Sequence, residues 1–506
     1  MAERERGRSL PRTHSSRAPP RSLDVWRTSS WRSSYFLTHR QKPVVTWIWI
    51  LGSLYALLLV GAAYTSWRQT ETEEDYLLAG SSIGVFAGVL TYAATLFSTF
   101  MLMGMPDFFR NHGVGGWIFL AVSDGAQIFL VVWFGYHLRK RSRELGFRGT
   151  SGLLNGLTNT RMAGYVFMVG VFLFLIPYVA IQIRGLAIFL EAVFPGALPM
   201  WGWSGGIMVA MLVYSEIGGL RAIILSDVIQ GLTLLAVVWI VGIGCLSYFG
   251  GVEAMFEQAR ATDEALLSTP GPKGLFTPQF LLASFFGVLL IPATQPQITT
   301  RLAAMDSRAK MNRMTVSIGG FVIAIMLPVV AIGIYGAVEY AGATSREFWA
   351  NVLLYEQADI VAAAAVVGLL TAAMSTADSQ LFALGTEVRS LYRGDSEDTA
   401  LLLTRLAVVV FGVVAFVFSL FSGDQFALLA LGSLAGIVPS TVGPVRLDLL
   451  LLGSLALIAV ASVVMRRRGN GGRARGQRPA PADATRRAGG HETADSSSGT
   501  GTPRPS

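Results

Sequence analysis

The sequence predicts an all-α membrane protein that crosses the bilayer many times, and three observations support this. Of the 506 residues, 52% are hydrophobic and 14% are charged, whereas soluble globular proteins carry about 25% charged residues. The apolar runs reach the roughly 20 residues that a helix needs to cross the hydrocarbon core. They are continuous, whereas the strands of a membrane barrel alternate apolar and polar residues. We therefore expect one helical membrane domain over residues 43–465.

The predicted spans follow one another along this domain. About twelve apolar runs are long enough to be spans. Two of them exceed a simple crossing, so we expect them to tilt or to extend past the bilayer. The runs lie at residues 45–66, 83–105, 117–138, 162–192, 200–214, 222–249, 276–298, 314–338, 354–392, 401–421, 426–443 and 447–465.

Two polar tails flank the membrane domain. Residues 1–42 are rich in Arg, Ser and Pro, and residues 466–506 are rich in Gly, Arg, Thr and Ser. Both have the composition of disordered segments, and together they hold much of the net charge of +8. Basic tails can bind nucleic acid or anionic lipid, but solvated disorder explains them without a partner. We expect no nucleic-acid partner.

Basic residues in alternate loops predict the orientation of the spans. They cluster in three connections, which carry Arg139, Lys140, Arg141, Arg143, Arg148 and Arg161, then Arg301, Arg308, Lys310 and Arg313, then Arg389 and Arg393. These loops should face the cytoplasm, which puts the N-terminus of the first span outside. An even number of spans then leaves both basic tails outside, against the same rule. Either a span near the C-terminus is miscounted or residues 1–42 are absent from the mature protein, and both explanations stay open.

The sequence contains no signature of a common enzyme class. Cys245 is the one cysteine, and the five histidines are scattered without the spacing of metal ligands. A disulfide framework and a cysteine metal site are therefore excluded. There is no Walker loop, GxSxG or HExxH motif. We expect neither an enzyme nor a resident cofactor.

A stripe of hydroxyl side chains lies in the second predicted span. Thr91, Thr95 and Ser98 are spaced by four and three residues, so they share one face of a helix. Such hydroxyls can bond back to carbonyls of their own helix. They can also supply oxygen ligands to a cation, and the stripe alone leaves both interpretations open.

Polar residues also crowd the ninth predicted span. Ser375, Thr376, Asp378 and Ser379 interrupt an otherwise apolar run. Hydroxyl and carbonyl oxygens suit hard cations, and a carboxylate inside the membrane is a functional candidate by default. A polar contact between helices is the alternative interpretation.

A third polar segment, Tyr214–Gln230, joins two apolar spans. Gly218 and Gly219 interrupt the chain, and Ser226 and Asp227 lie where an N-cap would open the next helix. A capped cytoplasmic loop therefore explains this segment without a binding role.

Two prolines predict an interrupted helix. Pro292 and Pro296 lie in the span that begins near Phe276, and proline removes a backbone donor and kinks a helix. Paired interrupted helices in two halves of a transporter mark sites at the membrane midplane. The segment Thr91–Thr99 lies about five spans earlier, so we expect a matching break there, although its own residues do not show one.

Together these segments resemble the sodium:solute symporter family. The resemblance covers roughly residues 45–435 and rests on four motifs in the family's order, DYLLAGSSIG (Asp75–Gly84), GGLRAIILSDVIQ, TQPQITTRLAA and AAMSTADSQL. It implies a LeuT-like bundle of five plus five helices in two inverted repeats, near 83–249 and 276–443. It also implies one extra helix before the core and one to three after it.

The resemblance further implies a sodium site between the first and eighth core helices. Its ligands would be the backbone carbonyls of Ala94, Phe97 and Ala372 and the hydroxyls of Ser375 and Thr376. A break in a helix frees such carbonyls from their own hydrogen-bond ladder.

Two aspartates are implied on the sodium path. Asp227 matches an aspartate that some members place on the route to the cytoplasm, and we place Asp378 on the same path. Some members also carry an aspartate near the sodium ligands in the first core helix, but Leu96 holds that position here.

The solute cavity has candidate residues on three core helices. Thr95 and Ser98 come from the first, Gln182 from the third, and Thr294 and Gln295 from the sixth.

Two charged residues in the spans remain open. Asp124 is a further intramembrane carboxylate that could pair within the bundle. Arg184 could bind a carboxylate, or it could reach the membrane interface near Glu191.

The resemblance implies secondary active transport. Na⁺ would be the coupling ion, a small organic solute (amino acid, carboxylate or sugar) would be co-transported, and the protein would cross the inner (plasma) membrane many times, in contact with lipid. A membrane sensor built like a transporter, or an inactive or truncated family member, is the alternative. Proton coupling through Asp378 or Asp227 is a variant of the first hypothesis.

Overall fold

The structure is a computed structural model, and it describes residues 41–69, 72–146, 149–215, 219–392, 394 and 396–424. Both predicted tails, except for residues 41 and 42, lie outside these ranges, as do the predicted spans at 426–443 and 447–465. Within the described residues the chain is helical, and no β-strand is present apart from one isolated bridge between Ile83 and Met305.

The described helices are numbered here in chain order. They are α1 (Gln41–Trp67), α2 (Glu73–Leu78), α3 (Val85–Leu96), α4 (Met105–His112), α5 (Ser123–Leu145), α6 (Thr150–Thr158), α7 (Arg161–Val193), α8 (Met200–Ser215), α9 (Gly219–Phe249), α10 (Val252–Thr262), α11 (Pro278–Leu289), α12 (Ile291–Thr294), α13 (Pro296–Ala304), α14 (Arg308–Glu339), α15 (Ser345–Ala350), α16 (Asp359–Leu391) and α17 (Glu397–Phe421). Single π-helical turns precede α4 and α5 and follow α15.

Several of these helices can cross a bilayer. Seven are long and apolar enough within the described residues, and an eighth span results if α3 and the bent segment after it are counted together. Two shorter apolar helices, Met200–Leu212 and Pro278–Leu289, add to them. The predicted total of about twelve is not confirmed, because two of the predicted spans lie outside the described residues.

The first core helix is broken, as we inferred only from the pairing of the two halves. Helix α3 ends at Leu96, and the segment from Phe100 onward is bent from it by 61°. Phe97 has an extended backbone, with φ −98° and ψ 105°. The Tyr178 hydroxyl donates to the Leu96 carbonyl at 2.5 Å. A partner from α7 therefore satisfies a carbonyl that the break removes from the helical ladder.

The second break lies between α12 and α13, where the prolines predict it. Gln295 has φ −102° and ψ 110°, close to the conformation of Phe97. Pro296 follows it and disfavours a helical conformation for the preceding residue. One break therefore has a cause in its own sequence, whereas the other depends on packing.

The order of spans fits two repeats. Helices α3 with α4, α5, α7, α8 and α9 make five spans, and the broken α11–α13 followed by α14, α16 and α17 begins a second set in the same order. The predicted span at 426–443, which would complete that second set, lies outside the described residues.

Helix α16 lies at the centre of the bundle. It packs against α1, α3, α7, α9 and α17. Small residues such as Ala372 and Ala373, both buried, let neighbouring helices approach closely. At Gly368 an added Cβ would lie 3.2 Å from Cγ2 of Val237 on α9. This close packing brings the polar face of α16 against the break in α3.

Candidate ion and solute site

Four of the five predicted sodium residues meet at the end of α3. The Ser375 hydroxyl lies 3.0 Å from the Ala94 carbonyl oxygen and 3.1 Å from that of Ala372. The Thr376 hydroxyl lies 3.1 Å from the same Ala94 oxygen. All four residues are buried. Ala94 is in the last turn of α3, so its carbonyl accepts from α16 instead of from the next turn of its own helix.

Phe97, the fifth predicted residue, lies at the break itself. It is buried, its extended backbone departs from the helix, and its ring stacks on Phe321 with centroids 5.9 Å apart. Carbonyl and hydroxyl oxygens gathered in this way match the ligand preference of a hard cation. A hydroxyl keeps two acceptor lone pairs, so it can bind a cation by turning its proton aside.

A buried ion pair lies next to these hydroxyls. Arg301 donates to Asp227 at 2.8 Å, to Ser379 at 2.6 Å and to Thr91 at 2.7 Å. Thr91 in turn donates to Asp227 at 2.5 Å. Arg301 is 2% exposed and Asp227 is fully buried. The pair therefore links α13, α9, α3 and α16. Because both charges are desolvated, replacing either residue leaves the other charge buried and unpaired.

This network corrects two predictions from the sequence. Ser226 and Asp227 do not cap a helix; they lie inside α9, because the helix already begins at Gly219. Arg301 is not a loop charge, because α13 ends after it and turns its side chain into the core. Arg139 is likewise buried and donates to the carbonyls of Ala303, Met305 and Asp306. The loop count that predicts the orientation therefore includes two charges with structural roles.

Asp378 is a buried carboxylate without a visible partner. It is fully buried on α16, and neither of its oxygens has a hydrogen-bond partner among the residues that the structure describes. The same holds for both polar atoms of Gln380. An unpaired intramembrane carboxylate is costly and points to a functional role.

Three of the predicted solute residues are buried near the break in α3. Thr95 donates to the Thr91 carbonyl at 2.7 Å and lies 3.3 Å from the Ser379 hydroxyl. Ser98 accepts from the Phe100 amide at 3.3 Å. Gln182 donates to the Tyr178 carbonyl at 3.1 Å, one helical turn before it. Thr95 therefore bonds to its own helix, whereas Thr91 bonds to Asp227 and Arg301 on other helices. The interpretation of the stripe as cation ligands stays a prediction.

The two predicted residues at the second break differ from each other. Gln295 is buried at the break, and its side-chain oxygen accepts from Gln297 at 2.9 Å. Thr294 is exposed, and its hydroxyl donates to the Leu290 carbonyl of its own helix at 3.2 Å. The structure therefore does not bring Thr294 together with the other candidates.

Arg184 pairs with residues at and just after the end of α17. It donates to Asp424 at 2.6 Å and to the Ser419 carbonyl at 2.9 Å. Asp424 also accepts from Arg346 at 3.1 Å. A carboxylate of this chain therefore satisfies Arg184.

Sequence reasoning missed two residues that organise the site. Arg301 belongs to a motif recognised in the sequence, but its place at the end of a span made it look like a loop charge. Tyr178 gave no signal, because a tyrosine in an apolar run is common. Its hydroxyl has a role only because α7 passes the break in α3.

Known proteins are similar to this chain in sequence. The model of the sodium:solute symporter family matches residues 76–454. A sodium/pantothenate symporter of Haemophilus influenzae is 26% identical over 351 residues, which cover 65% of this chain and 68% of that protein. The high-affinity proline transporter PutP of Bacillus subtilis is 25% identical over 385 residues, which cover 71% and 78%.

Solved structures agree on the fold. A Na⁺-coupled sialic acid symporter in a substrate-bound outward-open state matches with a TM-score of 0.61 at 20% identity, over 75% of this chain and 82% of that one. MhsT in complex with L-phenylalanine matches with a TM-score of 0.50 at 16% identity, over 75% and 97%. Both have the LeuT-like fold. The family model covers well over half of the sequence, and the chain therefore belongs to the sodium:solute symporter family, which is a family of membrane transporters.

Proposed function

We propose that this chain is a sodium-coupled symporter, which carries a small organic solute (amino acid, carboxylate or sugar) across the inner (plasma) membrane by alternating access. The observation that carries the proposal is the convergence of Ser375 and Thr376 on the carbonyl of Ala94, where α3 breaks. Relatives named for sodium with proline or pantothenate support this reaction class. Na⁺ is the coupling ion, and no resident cofactor is proposed.

The geometry suggests how the ion couples to the solute. The proposed ligands come from two elements, the broken α3 and the straight α16, so a bound cation holds the two together. Thr95 and Ser98 lie on the same broken segment, which places the proposed solute contacts within one turn of the ion ligands. Sodium binding therefore stabilises the arrangement of α3 in which the solute contacts are ordered, and sodium loss releases both.

The proposed exit path for the ion passes the buried aspartates. Asp227 is already neutralised by Arg301, whereas Asp378 has no partner among the described residues. A cation that leaves the site would meet Asp378 as an unpaired carboxylate on the same helix as Ser375. The mechanism assigns Asp378 to transient ion binding and Asp227 to holding Arg301.

Uptake into proteoliposomes tests the function. Purified protein is reconstituted, a sodium gradient is imposed, and a panel of labelled amino acids, carboxylates and sugars is offered. We expect one class to accumulate only with inward sodium. If uptake is independent of the sodium gradient and depends on a pH gradient, the coupling ion is a proton instead. No uptake by folded protein would favour a sensor or an inactive transporter.

The double variant Ser375→Ala with Thr376→Ala tests the ion site. We expect the sodium concentration for half-maximal transport to rise, because two of the proposed oxygen ligands are removed. The matched control is Thr315→Ala with Thr386→Ala, whose buried hydroxyls donate to carbonyls of their own helices. An unchanged sodium dependence in the Ser375 and Thr376 variant would remove these hydroxyls from the ligand set.

A further inference from the structure

Asp124 is a second carboxylate buried in the membrane domain, and the site described above does not use it. It lies in the first turn of α5 and is 2% exposed. Its Oδ1 accepts from the Gln127 amide at 2.5 Å. Its Oδ2 is buried and has no hydrogen-bond partner in the described part of the chain. None of the ion pairs found there includes Asp124.

The neighbours of Asp124 orient it without neutralising it. The Gln127 side-chain oxygen accepts from the Tyr92 hydroxyl at 2.9 Å, which directs the Gln127 nitrogen toward Asp124. Tyr92 is buried on α3, one turn before the break. Both neighbours are uncharged. Neither neighbour therefore supplies a positive charge to Asp124, and neither donates to its Oδ2.

Other buried oxygens near the two breaks also lack a hydrogen-bond partner in the described part of the chain. The side-chain oxygens of Gln182 on α7 and Gln297 on α13 have no partner among the described residues. Helix α5, which carries Asp124, packs against both α12 and α13 at the second break and reaches α3 through Tyr92. These two oxygens and Oδ2 of Asp124 are hydrogen-bond acceptors, and the Thr99 hydroxyl after the first break, which can accept as well as donate, also lacks a partner among the described residues.

The chemistry of these groups selects the occupant. Acceptors require a donor, and a carboxylate that stays ionised when buried also requires a positive charge. A bare metal cation would need several oxygens around Asp124, but the Gln127 group that faces Asp124 is its NH2, which cannot ligate a metal. An ammonium group supplies both the charge and the N–H donors.

We propose that Asp124 binds the ammonium group of the transported solute, which makes the solute an amine or a zwitterionic amino acid. The inference rests on the proposed transport function and narrows its solute class. A sugar hydroxyl could donate to Oδ2 but would bring no positive charge, and a simple carboxylate would bring a second negative charge. A site built for an ammonium group rejects ligands that lack it.

Binding to matched pairs of compounds tests the proposal. Full-length protein is purified in detergent with sodium, and its thermal unfolding is followed in the presence of each compound. The pairs are L-proline with tetrahydro-2-furoate, L-phenylalanine with 3-phenylpropionate, and isobutylamine with isobutanol. Pantothenate is tested as a further compound without an ammonium group. Within each pair only one member carries the ammonium group. We expect stabilisation by at least one ammonium compound and by neither its partner nor pantothenate.

Asp124→Asn should weaken binding of that compound by about 100-fold, because a buried charged partner is lost. Sodium alone should still stabilise the Asp124→Asn variant against thermal unfolding, which would show that the variant folds. The matched control Glu387→Gln also neutralises a buried carboxylate, but one bonded to backbone amides of α6, and it should bind the compound as the wild type does.

Three results would overturn the proposal. The first is equal stabilisation by the paired compound that lacks the ammonium group, and the second is unchanged binding of the ammonium compound by the Asp124→Asn variant. The third is a wild-type protein that sodium stabilises but that no ammonium compound stabilises. If sodium fails to stabilise the wild type, the proposed sodium coupling fails, and the comparison within each pair still decides the role of Asp124.

Discussion

Replacing Arg301 by glutamine should destabilise the protein strongly, because it leaves the Asp227 carboxylate buried without a cation. The pair is almost completely desolvated, at 2% and 0% side-chain exposure. After the substitution Oδ2 keeps only the Thr91 hydroxyl, and Oδ1 has no partner among the described residues. Removal of one partner from such a pair costs about 3–5 kcal/mol.

The opposite substitution, Asp227→Asn, should cost less. An asparagine oxygen can still accept from Arg301, and the guanidinium keeps Thr91, Ser379 and the Gln297 carbonyl as acceptors. The guanidinium nevertheless stays buried without a counter-charge, so the cost should lie at the lower end of the same range, about 3 kcal/mol. The double variant should be more stable than Arg301→Gln alone, since no charge remains unpaired.

Unfolding titrations with SDS in mixed micelles, without sodium, measure these differences. The control is Arg308→Gln, because the exposed Arg308 lies over the Tyr136 ring at 4.3 Å and such contacts contribute about 0.5–1 kcal/mol. An Arg301→Gln protein as stable as the control, or a double variant no better than Arg301→Gln, would refute the role of the pair.

Two further substitutions test the packing of the bundle. Glu387→Ala should speed amide hydrogen exchange at the start of α6, because its carboxylate accepts from the Thr150 amide at 2.7 Å and from the next amide at 2.6 Å; unchanged exchange there would contradict this capping role. Gly242→Ala should lower the free energy of unfolding by about 1–3 kcal/mol through overpacking, because its Cβ would lie 2.5 Å from the Pro328 side chain. Gly244→Ala on the same helix meets nothing within 4 Å, so it should be neutral or stabilising, and equal effects at the two glycines would contradict the packing.

Much of the helical architecture follows from the sequence alone. Long apolar runs must bury their backbone polar groups in helices, since no water is present to bond them. The second break also follows from local chemistry, because Pro296 constrains Gln295 before it. The hydroxyls of Ser375 and Thr376 stand out as polar residues in an apolar span, and a family resemblance gives them a proposed role. These features depend on residues that are near one another in the sequence.

The tertiary structure alone decides which distant groups satisfy one another. The break at Phe97 has no proline or glycine to cause it, and the carbonyl of Leu96 beside it accepts from Tyr178 on α7. Arg301 resembles a loop charge until α9 and α16 place Asp227 and Ser379 around it. Desolvation makes such partnerships obligatory, but only the packed helices determine which residues form them. The same packing leaves both oxygens of Asp378 and one oxygen of Asp124 without hydrogen-bond partners among the described residues.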